Sequence, residues 1–261
     1  NHNVVVTDGA NCITNSIPVT VAAGPALTTT VTPADALCNG AATGSITVTT
    51  PTIGTAPYQY SLDGVTWQAS NTFNGLTAGN YTVYYREANG CQGSQNVTVS
   101  EPAAMTSSAS TVPVICNGQS NGIITITAGG GIAPYQYSID GGATWQASNT
   151  FNVPAGNYSI IIRDGNNCTK NQNATVTEPA VLTANSNNSN ASCNGGNDGV
   201  ISVNASGGNA GYSYSIDGGA TWQAGNTFNV LTAGNYTVYY REANGCQGSQ
   251  NVIVSETAAM T

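Results

Sequence analysis

Apolar residues recur at every second position in short runs along this chain, and turn-forming residues separate the runs. Ile46 and Val48 alternate with Ser45 and Thr47; Tyr58, Tyr60 and Leu62 alternate with Gln59 and Ser61; Tyr81, Val83 and Tyr85 alternate with Thr82, Tyr84 and Arg86. Period-two alternation is the mark of a strand with one buried face. The pattern predicts strands over 27–37, 45–50, 58–62, 81–86 and 91–100, with two shorter ones around Trp67 and Phe73. Asp63-Gly64 and Ala88-Asn89-Gly90 supply reversals. Glu101-Pro102 and Glu178-Pro179 each end a last strand, because proline cannot donate to a ladder. About seven short strands with turns every 8–12 residues describe an Ig-like sandwich, and the stretch from Leu76 to Tyr81 suits a tyrosine corner.

The whole pattern repeats. Cys38, Cys116 and Cys193 each open a Cys-Asn-Gly; Trp67, Trp145 and Trp222 each open a Trp-Gln-Ala; Cys91, Cys168 and Cys246 each follow a turn of Asn and Gly. All three series have a period of 77 or 78 residues, which places complete repeats at 26–103, 104–180 and 181–258. Residues 1–25 match the last third of a repeat, with Cys12 on Cys91 and His2 on Tyr81, and 259–261 open another. The chain is therefore expected to be a window on a longer protein, which accounts for the lack of a signal peptide at Asn1. The stretch from Leu76 recurs from Leu231 with two changes, Thr98 to Ile253 and Pro102 to Thr257. A function that works by repetition tolerates such duplication.

Composition narrows the function classes. Charged residues make up 6% of the chain, against about 25% in ordinary domains, and the polarity comes from Thr, Asn and Ser. The net charge is −8 with four fixed cations, Arg86, Arg163, Lys170 and Arg241, too few to neutralise a phosphate backbone, so nucleic acid is excluded as a partner. No apolar run reaches the roughly 18 residues of a membrane span, so no membrane insertion is expected.

In order, these motifs resemble the SprB-repeat family of Bacteroidetes surface proteins: Cys-x-Gly, Gly-x-Ile, Pro-Tyr-x-Tyr-Ser-x-Asp-Gly, Phe, Ala-Gly-x-Tyr, Asn-Gly-Cys and Glu-Pro. The second repeat reads CNGQSNGII, APYQYSIDGG, TFNVPAGNYSIIIRDGNNC and TEP. Three departures stand out: Ala210-Gly211 lacks the Pro, Thr257 replaces the closing Pro, and Glu87 and Glu242 stand where Asp is commoner. The resemblance implies a giant adhesin at the cell surface, exported by the type IX system and moved in gliding motility. Its partners would be external surfaces or polysaccharide and the gliding and secretion machinery. The alternative is a set of carbohydrate-binding or spacer repeats in a secreted multidomain enzyme.

No catalytic site is expected and no cofactor is called for. Ser138 to Trp145, Ser215 to Trp222 and the shorter Ser61 to Trp67 match the Asp-box of sialidase propellers, a hairpin clamp remote from the active site there. A sialidase would also need clustered arginines, and each repeat has one. His2 is the only histidine, is read as a core-facing substitution, and gives the repeats no triad. Zinc lacks a Cys-x-x-Cys pair or supporting His. The acids that would serve calcium, Asp63, Asp140, Asp217, Asp198, Glu101, Glu178 and Glu256, are scattered along the chain. Tyr84, Arg86, Tyr239 and Arg241 point outward as candidates for surface contact. The second repeat has Ile161 and Arg163 there, and ordinary cross-strand pairing is the competing reading.

Two cysteines per repeat outside the cell point to disulfides at Cys38, Cys91, Cys116, Cys168, Cys193 and Cys246. With an odd number of strands, Cys38 and Cys91 fall at opposite ends of a sandwich, beyond disulfide reach. That predicts Cys38–Cys168 and Cys116–Cys246, leaving Cys12, Cys91 and Cys193 to partners outside the window. If the Trp67 and Phe73 segments form one continuous pass, the pairs become Cys38–Cys91, Cys116–Cys168 and Cys193–Cys246. Both pairings stand at this point. The expected architecture is all-β, with tandem Ig-like β-sandwich repeats end to end in an elongated filament.

Overall fold

The computed structural model describes residues 2–13, 16–20, 24 and 26–259, and every described element is a strand. The chain divides into two compact units, Asn1–Ala104 and Met105–Thr261. The first unit holds a hairpin of β1 (His2–Val4) and β2 (Ile17–Val19), then β3 (Val31–Ala34), β4 (Gly44–Val48), β5 (Gln59–Ser61), β6 (Thr72–Leu76), β7 (Gly79–Arg86) and β8 (Gln92–Val99). These six strands form two three-stranded antiparallel sheets, β3-β4-β6 and β5-β7-β8.

The second unit holds two copies of the same arrangement. One comprises β9 (Thr106–Val112), β10 (Gly122–Gly129), β11 (Gln136–Ser138), β12 (Thr150–Val153), β13 (Gly156–Arg163) and β14 (Thr169–Val176). The other comprises β15 (Thr183–Ser189), β16 (Gly199–Ser206), β17 (Ser213–Ser215), β18 (Thr227–Leu231), β19 (Gly234–Arg241) and β20 (Gln247–Val254). Each copy pairs its strands as the first does.

Each sandwich has its own core, built from the alternating positions of both sheets. Ile46, Val48, Tyr60, Val83, Tyr85 and Val99 close the first; Ile124, Ile126, Tyr137, Ile160, Ile162 and Val176 close the second; Ile201, Val203, Tyr214, Val238, Tyr240 and Val254 close the third. Full burial of one such side chain contributes about 1.5–3 kcal/mol. Gly44, Gly122 and Gly199 open the second strand of each repeat under a valine of the last strand. A Cβ on Gly122 would stand 2.5 Å from Val176 Cγ1. The tyrosine corner forms in all three: the hydroxyls of Tyr81, Tyr158 and Tyr236 donate to the carbonyls of Thr77, Pro154 and Thr232 at 2.8–2.9 Å.

Three strand expectations are corrected. The strand over 27–37 shortens to Val31–Ala34 and that over 58–62 to Gln59–Ser61. The strand around Trp67 contracts to a single antiparallel bridge between Gln68 and Tyr60, repeated at Gln146–Tyr137 and Gln223–Tyr214. The chain leaves this sheet at once because the Gln68 side chain donates to the carbonyls of Ser70 and Thr72, bending the backbone across to the opposite sheet as β6. Gln146 and Gln223 make the same bend, which explains why Trp is followed by Gln in every copy.

This reversal keeps the number of passes odd. The bridge is antiparallel to β5 while β6 is antiparallel to β4, so the two segments run in opposite directions. The first and last strands of a repeat consequently run the same way. Ala191 and Glu256 form a parallel bridge, and the amides of Ala36, Val114 and Ala191 donate to the carbonyls of Ser100, Thr177 and Ser255 at 2.9–3.0 Å. Each sandwich takes the chain in at one end, its foot, and releases it at the other, its head.

Candidate functional site: the outward face and the cysteine-bearing ends

The Asp-box segments are turns clamped by their own carboxylates. Asp140 Oδ1 accepts from the Ser138 hydroxyl at 2.7 Å and the Thr144 amide at 3.0 Å, and Asp140 Oδ2 accepts from the Thr144 hydroxyl. Asp217 repeats these contacts with Ser215 and Thr221, and Asp63 accepts from Ser61 and from the amides of Val65 and Thr66. Gly141 and Gly142, at φ +75° and +91°, adopt a backbone suited to residues without a Cβ. The donors stabilise the charged carboxylate and hold all three acids far below the usual range. The Thr66 amide is foremost for Asp63, the Thr144 hydroxyl for Asp140 and the Ser215 hydroxyl for Asp217. These carboxylates serve the hairpin, as the Asp-box reading expects.

The turn delivers its tryptophan to the outward face of the five-to-eight sheet and its equivalents. Trp145 and Trp222 anchor their indole N–H on the carbonyls of Gly142 and Gly219 at 2.9 and 2.8 Å. Arg86, Arg163 and Arg241 each lie over the ring of Trp67, Trp145 and Trp222 at 4.1 Å from the centroid. Gln59, Gln136 and Ser213 on the neighbouring strand accept from the arginine Nε at 2.8–3.0 Å. The guanidinium is thus sandwiched by a ring and pinned by a side-chain oxygen. Tyr84 packs beneath the Asp63-Gly64 turn, its ring 3.6 Å from where a Gly64 Cβ would stand.

Of the four residues expected to make surface contact, Tyr84 and Arg86 share one face in the first unit and Tyr239 and Arg241 share the equivalent face in the third repeat. All four are half-buried rather than freely projecting. Sequence reasoning missed their tryptophan partners and missed Arg163 as a full member of the set. The co-recurrence of one Trp and one Arg per repeat was the available signal.

The cysteines sit at the two ends. Cys116 lies at the head of the second repeat and is bridged to Cys246 at the foot of the third, with a Cα–Cα distance of 5.7 Å. The within-repeat pairs Cys116–Cys168 and Cys193–Cys246 do not form, because the odd pass count sends Cys116 and Cys168 to opposite ends. Cys38 and Cys168 are each held in a disulfide. Cys12, Cys91 and Cys193 are exposed thiols. The Cys116–Cys246 bridge is the one predicted from an odd number of strands, and the alternative of one bridge inside each repeat is corrected, since Cys91 and Cys193 are thiols.

Both ends are built by acids. At the head, Glu101 accepts from Asn39 Nδ2 and the Gly40 amide at 2.8 and 2.6 Å, and Glu256 accepts from Asn194 Nδ2 and the Gly195 amide at 2.9 and 2.8 Å. Glu178 accepts from the Gly118 amide at 2.8 Å while Asn117 donates to the Pro179 carbonyl. The Cys-Asn-Gly and Glu-Pro motifs are therefore two halves of one clamp that orients the head cysteine. Thr257, which replaces the closing Pro in the third repeat, leaves that clamp intact.

At the foot, Glu87, Asp164 and Glu242 are buried. Asp164 accepts from the amides of Ile132, Asn166 and Cys168 at 2.9 Å each, and Glu242 from those of Asn209 and Cys246 at 3.0 and 3.2 Å. The Thr55 amide is the leading cause that holds Glu87 below the usual carboxylate range. Each acid ties the cysteine turn to the loop after the second strand, and Glu makes the same pair of contacts as Asp.

Of the acids considered for calcium, Asp198 accepts from the Ser192 amide at 2.9 Å, and the others are those of the turns and heads. They occupy separate places, each bound to N–H or O–H donors. Glu242 lies with Cys116 and Cys246, ligand atoms within 4.8 Å of one another, but both sulfurs are committed to the disulfide. The His2 side chain and residues 260–261 lie outside the described residues.

The profile of the SprB repeat matches residues 30–66, 108–144 and 185–221. No curated protein matches the chain. Among solved structures, the N-terminal eight Ig domains of Down Syndrome Cell Adhesion Molecule isoform 1.30.30 are similar at 12% identity and a TM-score of 0.36. The match covers 77% of this chain and 32% of that one. The fibronectin(III)-like modules of Clostridium thermocellum CbhA are similar at 15% identity and a TM-score of 0.28, over 57% of this chain and 95% of theirs. Dpr2 Ig1-Ig2 in complex with DIP-Theta Ig1-Ig3 is similar at 11% identity and a TM-score of 0.31, over 90% of this chain and 98% of that one.

Proposed function

Because the chain belongs to the SprB-repeat family, we propose that it is a length of a repetitive filament at the cell surface, non-catalytic, that attaches cells to external surfaces and takes part in gliding. The observation that carries this reading is the build of the repeat: each sandwich admits the chain at its foot, releases it at its head, and in the second unit is joined covalently to the next. Such a unit adds reach with every copy. Sandwiches over 26–103, 104–180 and 181–258 supply that length, and the filament is an elongated run of them outside the cell.

Contact with polysaccharide or another external surface falls to the outward face that carries Tyr84, Arg86, Tyr239 and Arg241. The stacked Arg–Trp pairs support a firm face suited to contact with an extended surface. Machinery for export and movement engages parts of the protein beyond this chain.

Antibody fragments raised against the repeats test the proposal. They should decorate intact cells and reduce both attachment and gliding. Decoration without any loss of attachment would reduce the repeats to spacers. Reproducible binding of the isolated chain to sugars, abolished by Tyr84→Ala with Tyr239→Ala, together with release of the protein alongside a catalytic domain, would favour the carbohydrate-binding modules of a secreted enzyme.

A further inference from the structure

The second unit contains a covalent route that does not follow the chain. From Ala104 the chain rises along β9 through the full height of the second repeat to Cys116 at its head. The disulfide steps from there to Cys246 at the foot of the third repeat. From Cys246 the chain rises along β20 to the head of that repeat. The bridge closes a loop with a sequence separation of 130, and that loop contains every strand from β10 to β19.

We propose that this bridge makes β9 and β20 a load-bearing thread through the two repeats and shields the strands between them from tension. Three observations carry the proposal. The first and last strands of a repeat run in the same direction, so the route from β9 through the disulfide to β20 never doubles back. Both are already extended at about 3.3 Å per residue, close to the 3.3–3.6 Å a fully stretched chain reaches, so the thread has little slack. Each lies in an antiparallel ladder of seven or eight residue pairs. Ladder hydrogen bonds stand perpendicular to the strand, so a pull along its axis loads them together rather than one at a time.

Without the bridge, tension would pass through the whole chain and draw out each sandwich in turn. With it, the closed loop can lose its folded structure and still add no length. The bridge therefore limits extension even where it does not raise the force at which a sandwich opens. This mechanical role is independent of what the outward face binds, and its failure would leave the proposed attachment untouched.

Pulling the intact 261-residue chain tests it, with bioorthogonal anchors placed at the exposed positions Ala104 and Ala259. Under oxidising conditions the wild type should reach its limit without the large steps that mark the opening of a sandwich. Cys116→Ser should extend further by about 450 Å, the loop separation of 130 at roughly 3.5 Å per residue. Should that variant fold poorly, folded wild type held at constant force and then given a thiol reductant should lengthen by the same amount once the bridge is cut. Equal limiting lengths for the oxidised and reduced wild type would overturn the proposal.

Discussion

Asp140 keeps its charge inside its own turn, and its consequence is a dependence on acid. Its folded pKa lies below the unfolded value of about 3.9, so its contribution is fully present above that value and is lost as pH falls through the folded one. Thr144 and Ser138 are the donors that favour the charged form. Asp140→Asn should therefore lower the melting temperature of the chain at neutral pH. The gap from wild type should narrow between about pH 5 and pH 2. Thermal unfolding followed by circular dichroism across that range checks it, and a gap that does not change with pH would assign the turn's stability to something other than the carboxylate charge. The same single-residue view explains why Gln follows each Trp and why Asn-Gly follows each head cysteine: their side chains and amides satisfy carbonyls and carboxylates at places where the chain changes course.

Strand edges depend on close approach. Gly122 opens β10 with Val176 of β14 directly above it and the Val153 carbonyl of β12 beside it; an added Cβ would meet these at 2.5 and 3.0 Å. Gly122→Ala should push the two sheets apart locally and cost about 1–3 kcal/mol, the usual penalty of overpacking. It should be read as a lowered urea midpoint of the second unit with an unchanged slope. A neutral result would mean that the last strand yields freely at this point. The alternation of apolar positions made the strands legible, but their lengths were not. Tyr58 and Leu62 alternate as strand residues do, yet β5 covers only Gln59–Ser61, because an Ala-Pro or Ala-Gly junction precedes it and the Asp-box turn follows.

Across the molecule, the path of the chain decides which cysteines meet. Labelling the native, unreduced protein with iodoacetamide should modify Cys12, Cys91 and Cys193 and spare Cys116 and Cys246. Proteolysis without reduction should yield a peptide pair joining Cys116 to Cys246. Recovery of a Cys193–Cys246 pair instead would mean that the last two strands reverse their direction relative to the first. That outcome would also remove the covalent thread on which the extension limit rests.

The repeat, the strand-forming alternation, the tyrosine corner and the Asp-box turn are local in character. Each depends on residues within a few positions of one another, so Tyr81 with Thr77, or Asp140 with Thr144, could be read directly from the order of amino acids. The same order left two disulfide pairings open, because spacing along a chain carries no direction in space. What resolved them was the reversal at Gln68, Gln146 and Gln223, which keeps the passes odd and sends the two cysteines of a repeat to opposite ends. The arginine–tryptophan stacks and the glutamate clamps at the heads stayed hidden for a related reason. Their partners are brought together by sheet register and by the parallel run of first and last strands, and these exist only once the two sheets have packed.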